Sequence, residues 1–209
     1  MYEPTIATRA RIISAAERAL ANDGLDVPLA RINSAAGQKN KSSLQYHFKN
    51  RVGLLTAIVE KHRPGIEEER QRMLDAAEDR GMDLQAVVEA LVVPLANKLD
   101  DPDGGVYYLR IMAQDRGRER RALPNEVPLR TGTRRAMDLL NALGPRLSDE
   151  EARARLILVF GLLFHSLADF SRRFPVARRP RGYAREREVF VRTLVRAIVA
   201  IIERPPDAV

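Results

Sequence analysis

Lys39, Asn40, Lys41, Ser42, Ser43, Gln45, Tyr46, His47, Lys49 and Arg51 crowd a short segment around two apolar residues, Leu44 and Phe48. Leu44 and Phe48 are four apart, so on a helix they share one face and bury together, turning the polar neighbours outward or sideways. Those neighbours suit duplex DNA. Glutamine can bond adenine in a bidentate way, and lysine can bond guanine O6 and N7 or a phosphate. Tyr46, His47 and Lys49 can reach phosphate oxygens and fix register. The N–H groups opening the next helix, beside Arg51, make a positive end suited to another phosphate. Read singly, each residue has an ordinary alternative: a solvated lysine or glutamine, a core tyrosine, a hydrogen-bonded structural histidine. The joint pattern is the specific signal.

Small helices must hold this segment in place. Ile12, Ile13, Ala16 and Leu20 share a face at helical spacing, so a first helix is expected from about Thr5 to Asn22, stopped by Gly24. Pro28 suits the first turn of a second helix, which carries Leu29 and Ile32 inward and closes at Gly37. Asn40 can cap a third helix anchored by Leu44 and Phe48. Asn50 can cap a fourth, expected to end near His62 before Pro64-Gly65. Further helices are expected over 66–80, over 83–100 with a kink at Pro94, and over 105–117. Residues 118–130 read as a loop or a broken helix. A helix follows from Thr133 to Gly144. A capping box, Ser148 with Glu151, opens a long one to about Phe174, and the last runs from Tyr183 to Glu203. No stretch alternates as a strand would, so the fold class is all-α.

The run from Thr8 to Gly24 resembles the first helix of the tetracycline-repressor (TetR) family. Ile32 through Ala36-Gly37 is similar to that family's second helix and turn. Leu44, His47, Phe48, Asn50, Arg51, Leu54 and Leu55 resemble its third helix and the start of its fourth. The likeness covers about the first 60 residues. Pro28 replaces the customary threonine, the turn after Gly37 holds an extra residue, and Ser42 stands at a usual glycine. Gln45 occupies a position where tyrosine is common, so the family's phosphate-contacting tyrosine role falls to Tyr46.

The resemblance implies an N-terminal three-helix helix-turn-helix DNA-binding domain, residues 1–52, and a C-terminal helical effector-binding and dimerisation domain, residues 53–209. It implies a homodimer on a palindromic operator in double-stranded DNA, released by a small-molecule effector. Candidate effector-pocket residues are Tyr107, Tyr108, Met112, Phe164 and His165, each of which also reads as a core or surface residue. Candidate dimer-interface residues are Phe160, Leu163, Leu167, Val191, Leu194, Val195 and Ile198, because helices 149–174 and 183–203 are apolar beyond one stripe.

Composition agrees with a DNA-binding class. The formal net charge is +7, and residues 1–63 carry ten basic residues against five acidic ones, so +5 of it lies there. Concentrated basic charge attracts polyanions. The chain has no cysteine and three histidines, and shows no Gly-rich phosphate loop or metal-spaced cluster, so neither an enzyme nor a cofactor is expected. The start, Met1-Tyr2-Glu3-Pro4, lacks a basic-then-apolar run, and the apolar stretches Leu156–Leu163 and Ala197–Ile202 are too short for a bilayer. A soluble cytoplasmic protein without membrane contact is therefore expected. Two rival readings stay open: a sequence-independent, nucleoid-type DNA binder, and a small-molecule-binding protein with no DNA role.

Overall fold

A computed structural model of the chain describes residues 3–38, 43–116 and 131–205, which are helical with short turns and contain no strand. The helices are α1 (Glu3–Asp23), α2 (Leu29–Ala35), α3 (Ser43–Phe48), α4 (Arg51–Glu78), α5 (Leu84–Ala96), α6 (Gly105–Arg116), α7 (Thr131–Leu143), α8 (Asp149–Arg173) and α9 (Tyr183–Glu203). The chain divides into two compact units, and α4 contributes to both. One is Met1–Arg63 with Asp101–Val127, and the other is Pro64–Asp100 with Pro128–Val209.

The first unit is built on the apolar face of α1. Ile12, Ala16 and Leu20 are fully buried beside Ile13, with Ile32 of α2, Leu44 and Phe48 of α3, and Leu54, Leu55 and Ile58 of α4. Each large aliphatic side chain among them contributes roughly 1.5–3 kcal/mol relative to exposure. Gly24 (φ 99°) and Gly37 (φ 68°) take the left-handed conformation at the ends of α1 and α2, as the sequence predicts. The unit also takes in α6. Gln114 Nε2 donates to the carbonyls of Leu20 (3.1 Å) and Ala21 (3.2 Å), and Arg110 donates to Asn22 Oδ1 at 3.1 Å. Two of the open carbonyls at the C-terminus of α1 are thus satisfied by α6.

The second unit surrounds α5, where Val87, Val88, Ala90, Leu91 and Val92 are all buried against α7 and α9. Arg70 of α4 is buried and donates Nε to the Ala90 carbonyl (3.1 Å) and a guanidinium N–H to Thr133 Oγ1 (2.6 Å). Ser148 Oγ accepts from the Glu151 N–H at 3.2 Å, which is the expected N-cap of α8. At the far end of the hairpin, Arg155 of α8 donates to the Ile202 carbonyl at 2.9 Å and closes α9.

Two expectations are corrected. Helix 4 does not end near His62, and 66–80 is not a separate helix: α4 runs on through Pro64 and Gly65 to Glu78. A proline inside a helix costs about 3 kcal/mol. Here Ile58, His62, Ile66, Arg70, Leu74 and Ala77 are buried at helical spacing, and that continuous inward stripe outweighs the cost. The second correction concerns length. By length and composition α8 is apolar enough to cross a bilayer, although only 39% of its most apolar window is buried within this chain. Counting uninterrupted apolar residues missed it because polar residues such as His165 break the run while the window's mean hydropathy stays high, at 1.5. The loop expected over 118–130 lies outside the described residues.

A candidate nucleic-acid interface

α3 is only six residues long, and isolated helices of that length do not persist in water. Burial holds it: Leu44 is 3% and Phe48 4% exposed, and the Arg9 guanidinium of α1 lies 5.3 Å from the Phe48 ring centroid. The opposite side faces out. Gln45, Tyr46 and Lys49 are exposed, Tyr46 at 79%. His47 is half-buried, edge-on to the Tyr46 ring with centroids 5.1 Å apart. Ser43 is half-buried, and its Oγ lies 3.4 Å from Gln38 Oε1. A groove of about 460 Å³ runs between α2 and α3, walled by Ala30, Ser34, Gln38, Gln45 and Lys49. The remaining sequence-derived candidates, Lys39, Asn40, Lys41 and Ser42, lie outside the described residues.

The turn from α3 into α4 is tightly specified. Lys49 sits at φ 64°, a region where an L side chain is disfavoured, and its N–H bonds the Gln45 carbonyl at 2.8 Å. Asn50 Oδ1 accepts from the Gly53 N–H at 2.9 Å, which makes Asn50 the N-cap of α4 as expected. Gly53 is required there, because a Cβ would strike the Phe48 carbonyl oxygen. Arg51 follows the cap but turns inward. Its guanidinium donates to the Leu25 carbonyl at 2.6 Å and ties α4 to the turn after α1.

A buried polar network joins α1, α4 and the turn before α6, and periodicity alone does not announce it. Glu17 of α1 is 1% exposed, and its carboxylate accepts from His62 Nε2 at 2.7 Å and Lys61 Nζ at 2.9 Å. Lys61 also pairs with Asp103 at 2.8 Å, His62 Nδ1 lies 3.7 Å from Asp101 Oδ2, and the His62 ring packs on Tyr108 with centroids 4.9 Å apart. Gly104, at φ 89°, lets the backbone meet the Glu17 carboxylate where a Cβ would clash. Burial pulls the Lys61 ammonium down, but its hydrogen bonds to Asp103 and Glu17 outweigh that and hold its pKa above the ordinary lysine value. The one signal in the sequence is the place of Glu17, four residues after Ile13 on the apolar face of α1.

The five effector-pocket candidates fall in different units. Tyr108 and Met112 are buried and Tyr107 half-buried on α6 of the first unit. Phe164 is buried in the core of the second, and His165 is exposed on α8. Of the seven interface candidates, Leu163, Leu167, Leu194, Val195 and Ile198 are buried within the second unit itself, while Phe160 and Val191 are half-buried. The large apolar residues left open on α8 and α9 are Ile157 (67% exposed), Leu158 (59%) and Val189 (44%).

No protein-family model matches the chain, and no curated protein matches it. Among solved structures it is similar to the crystal structure of a TetR-family regulator from Streptomyces coelicolor A3. The two share 20% identity over 95% of this chain and 96% of that one, with a TM-score of 0.42.

Proposed function

We propose that this chain is a sequence-specific DNA-binding regulator of transcription, built like a TetR-type repressor. The observation that carries the reading is the division of this segment, with Leu44 and Phe48 of α3 buried while Gln45, Tyr46 and the following Lys49 stand clear. Such a helix offers base-reading and phosphate-gripping groups on one side and an apolar anchor on the other. Gln45 reads a base edge, Tyr46 and Lys49 hold phosphates, and Arg51 braces the turn from within. The reading head is residues 1–52, and α4 leads from it toward the effector-binding and dimerisation part.

The working form is a homodimer on a palindromic operator, its two α3 helices meeting successive major grooves about 34–36 Å apart. The apolar residues open on α8 and α9 supply the subunit contact. A small-molecule effector that prefers a different separation of the heads lowers DNA affinity, and DNA must weaken effector binding by the same factor. One place for such a ligand is a cleft of about 380 Å³ between α5 and α9, with a valine floor (Val93, Val191, Val195) and Glu89, Arg192 and Arg196 at its rim.

The test is a gel shift on sites selected from a random duplex pool. Tyr46→Phe combined with Lys49→Gln should weaken the selected site by about tenfold or more and flatten its salt dependence by about 0.9 for the missing ammonium, with the subunit assembly intact. Unchanged affinity would remove α3 as the contact surface. Equal affinity for selected and random duplex would favour a sequence-independent binder, and no affinity at low salt a sensor without a DNA role.

A further inference from the structure

We infer that the turn joining α8 to α9 is a second surface for duplex DNA, one that grips phosphates without reading bases; the inference rests on the DNA-binding reading above. Residues 172–187 hold seven arginines and a single acidic residue, Glu186. Two of the arginines shape the turn. Arg179 (2.8 Å) and Arg187 (2.7 Å) both reach the Asp100 carboxylate, which also accepts from the Tyr183 hydroxyl at 2.9 Å. The Arg179 guanidinium lies over the Tyr183 ring, 4.2 Å from its centroid, and Phe170 stacks on Phe190 at 4.3 Å beside them. The turn is therefore pinned, and what it displays is held in place.

It displays Arg178, Arg181 and Arg185, all exposed, and none of the three forms an ion pair among the described residues. Two of them are also badly placed for folding. Arg181 and Arg185 flank Gly182, where α9 opens without a side-chain cap, at the positive end of the helix dipole. Cations there gain nothing from the helix, whereas an anion would relieve both charges. Guanidinium groups present a planar fork that pairs two oxygens of one phosphate. An anionic bilayer would want a broad apolar face beside the charges, and Val176 is the one large exposed apolar residue of this turn.

The test is fluorescence anisotropy of the full-length chain with duplex DNA across a salt series, comparing wild type with Arg178→Gln/Arg181→Gln/Arg185→Gln. The expected result is a log affinity–log salt slope shallower by up to about 2.7 per chain, about 0.9 for each phosphate no longer neutralised. Selected and random duplexes should weaken by the same factor, leaving their ratio unchanged. By contrast, Gln45→Ala, which removes the base-reading group, should lower affinity for the selected site in particular, so failure of the turn and failure of α3 read out differently. An unchanged slope in the triple variant overturns the inference. So does intact DNA binding with abolished adsorption to phosphatidylglycerol vesicles, which would give the patch to a bilayer. Should the triple variant unfold, Arg178→Gln alone, outside both long helices, should still flatten the slope by about 0.9, and no change there overturns the inference equally.

Discussion

Lys49 carries two roles that pull in opposite directions, and this makes it informative. Its left-handed backbone (φ 64°) costs about 1 kcal/mol that glycine would not incur, and its ammonium stands at the edge of the groove between α2 and α3. Lys49→Gly should therefore hold or raise the unfolding temperature while lowering DNA affinity and its salt slope. Parallel loss of stability and binding would mean that the side chain serves the fold. Glu17 should behave in the reverse way. It is buried with His62 and Lys61 as its partners, so Glu17→Ala leaves the buried His62 Nε2 without its acceptor while Lys61 keeps Asp103, and should cost about 3 kcal/mol in denaturant unfolding. Glu17→Gln keeps one acceptor for His62 and should cost less. If alanine and glutamine are equally mild, the network does not support the head. Lys61 adds a pH signature: with its pKa raised in the folded chain, its contribution is complete below the ordinary lysine value and lost only as pH rises through the higher one.

Among the helices, α9 is the one whose anchoring can be read out spectroscopically. Burial, with donation to Asp100, pushes the Tyr183 phenol up to about 12. The folded chain keeps that proton while an unfolded chain releases it near 10. The stabilisation from this group is thus complete below about pH 10 and is lost as pH rises through about 12. The chain has five tyrosines and no tryptophan, so tyrosinate absorbance can be followed cleanly. A late component should be visible, and Tyr183→Phe should remove it; its persistence in that variant would assign it elsewhere. How far the helices could be read from the sequence follows from what defines each one. Ile12, Ile13, Ala16 and Leu20 mark α1 by periodicity, and Ser148 with Glu151 and Asn50 mark two helix starts by their own hydrogen bonds. Pro64-Gly65 misleads, because local propensity says nothing of a buried stripe continuing on both sides of it. Arg51 reads as a phosphate ligand, since no local rule reveals that the Leu25 carbonyl, distant in sequence, is within its reach. The division of α3 is legible because Leu44 and Phe48 are four apart. The Glu17 network is not, since its partners come from α4 and the turn before α6, and only the carboxylate's place on an apolar face is visible locally.

The assembly of the whole protein turns on which apolar residues remain after each chain has folded. Periodicity marks α8 and α9 as apolar but cannot say which neighbour covers them. Leu163, Leu167, Leu194, Val195 and Ile198 are already enclosed within one chain, so the proposed dimer would have to use what is left. That remainder on α8 is Ile157 and Leu158, beside Gly161, where a Cβ would meet nothing and a second helix could approach closely. A stable homodimer buries about 1,200–2,000 Å² in all, more than these residues alone, so they would form the apolar centre of a wider contact. Ile157→Glu with Leu158→Glu should give a monomer by light scattering at micromolar concentration, with little change in unfolding of the isolated chain. Operator affinity should fall with it, since two linked heads exceed one by roughly 10²–10⁴. Leu163→Ala should do the opposite, costing about 2–5 kcal/mol of stability through the cavity it leaves while the assembly state holds. A double glutamate variant that remains dimeric would move the subunit contact away from this face of α8, and a wild-type monomer would remove the paired heads altogether.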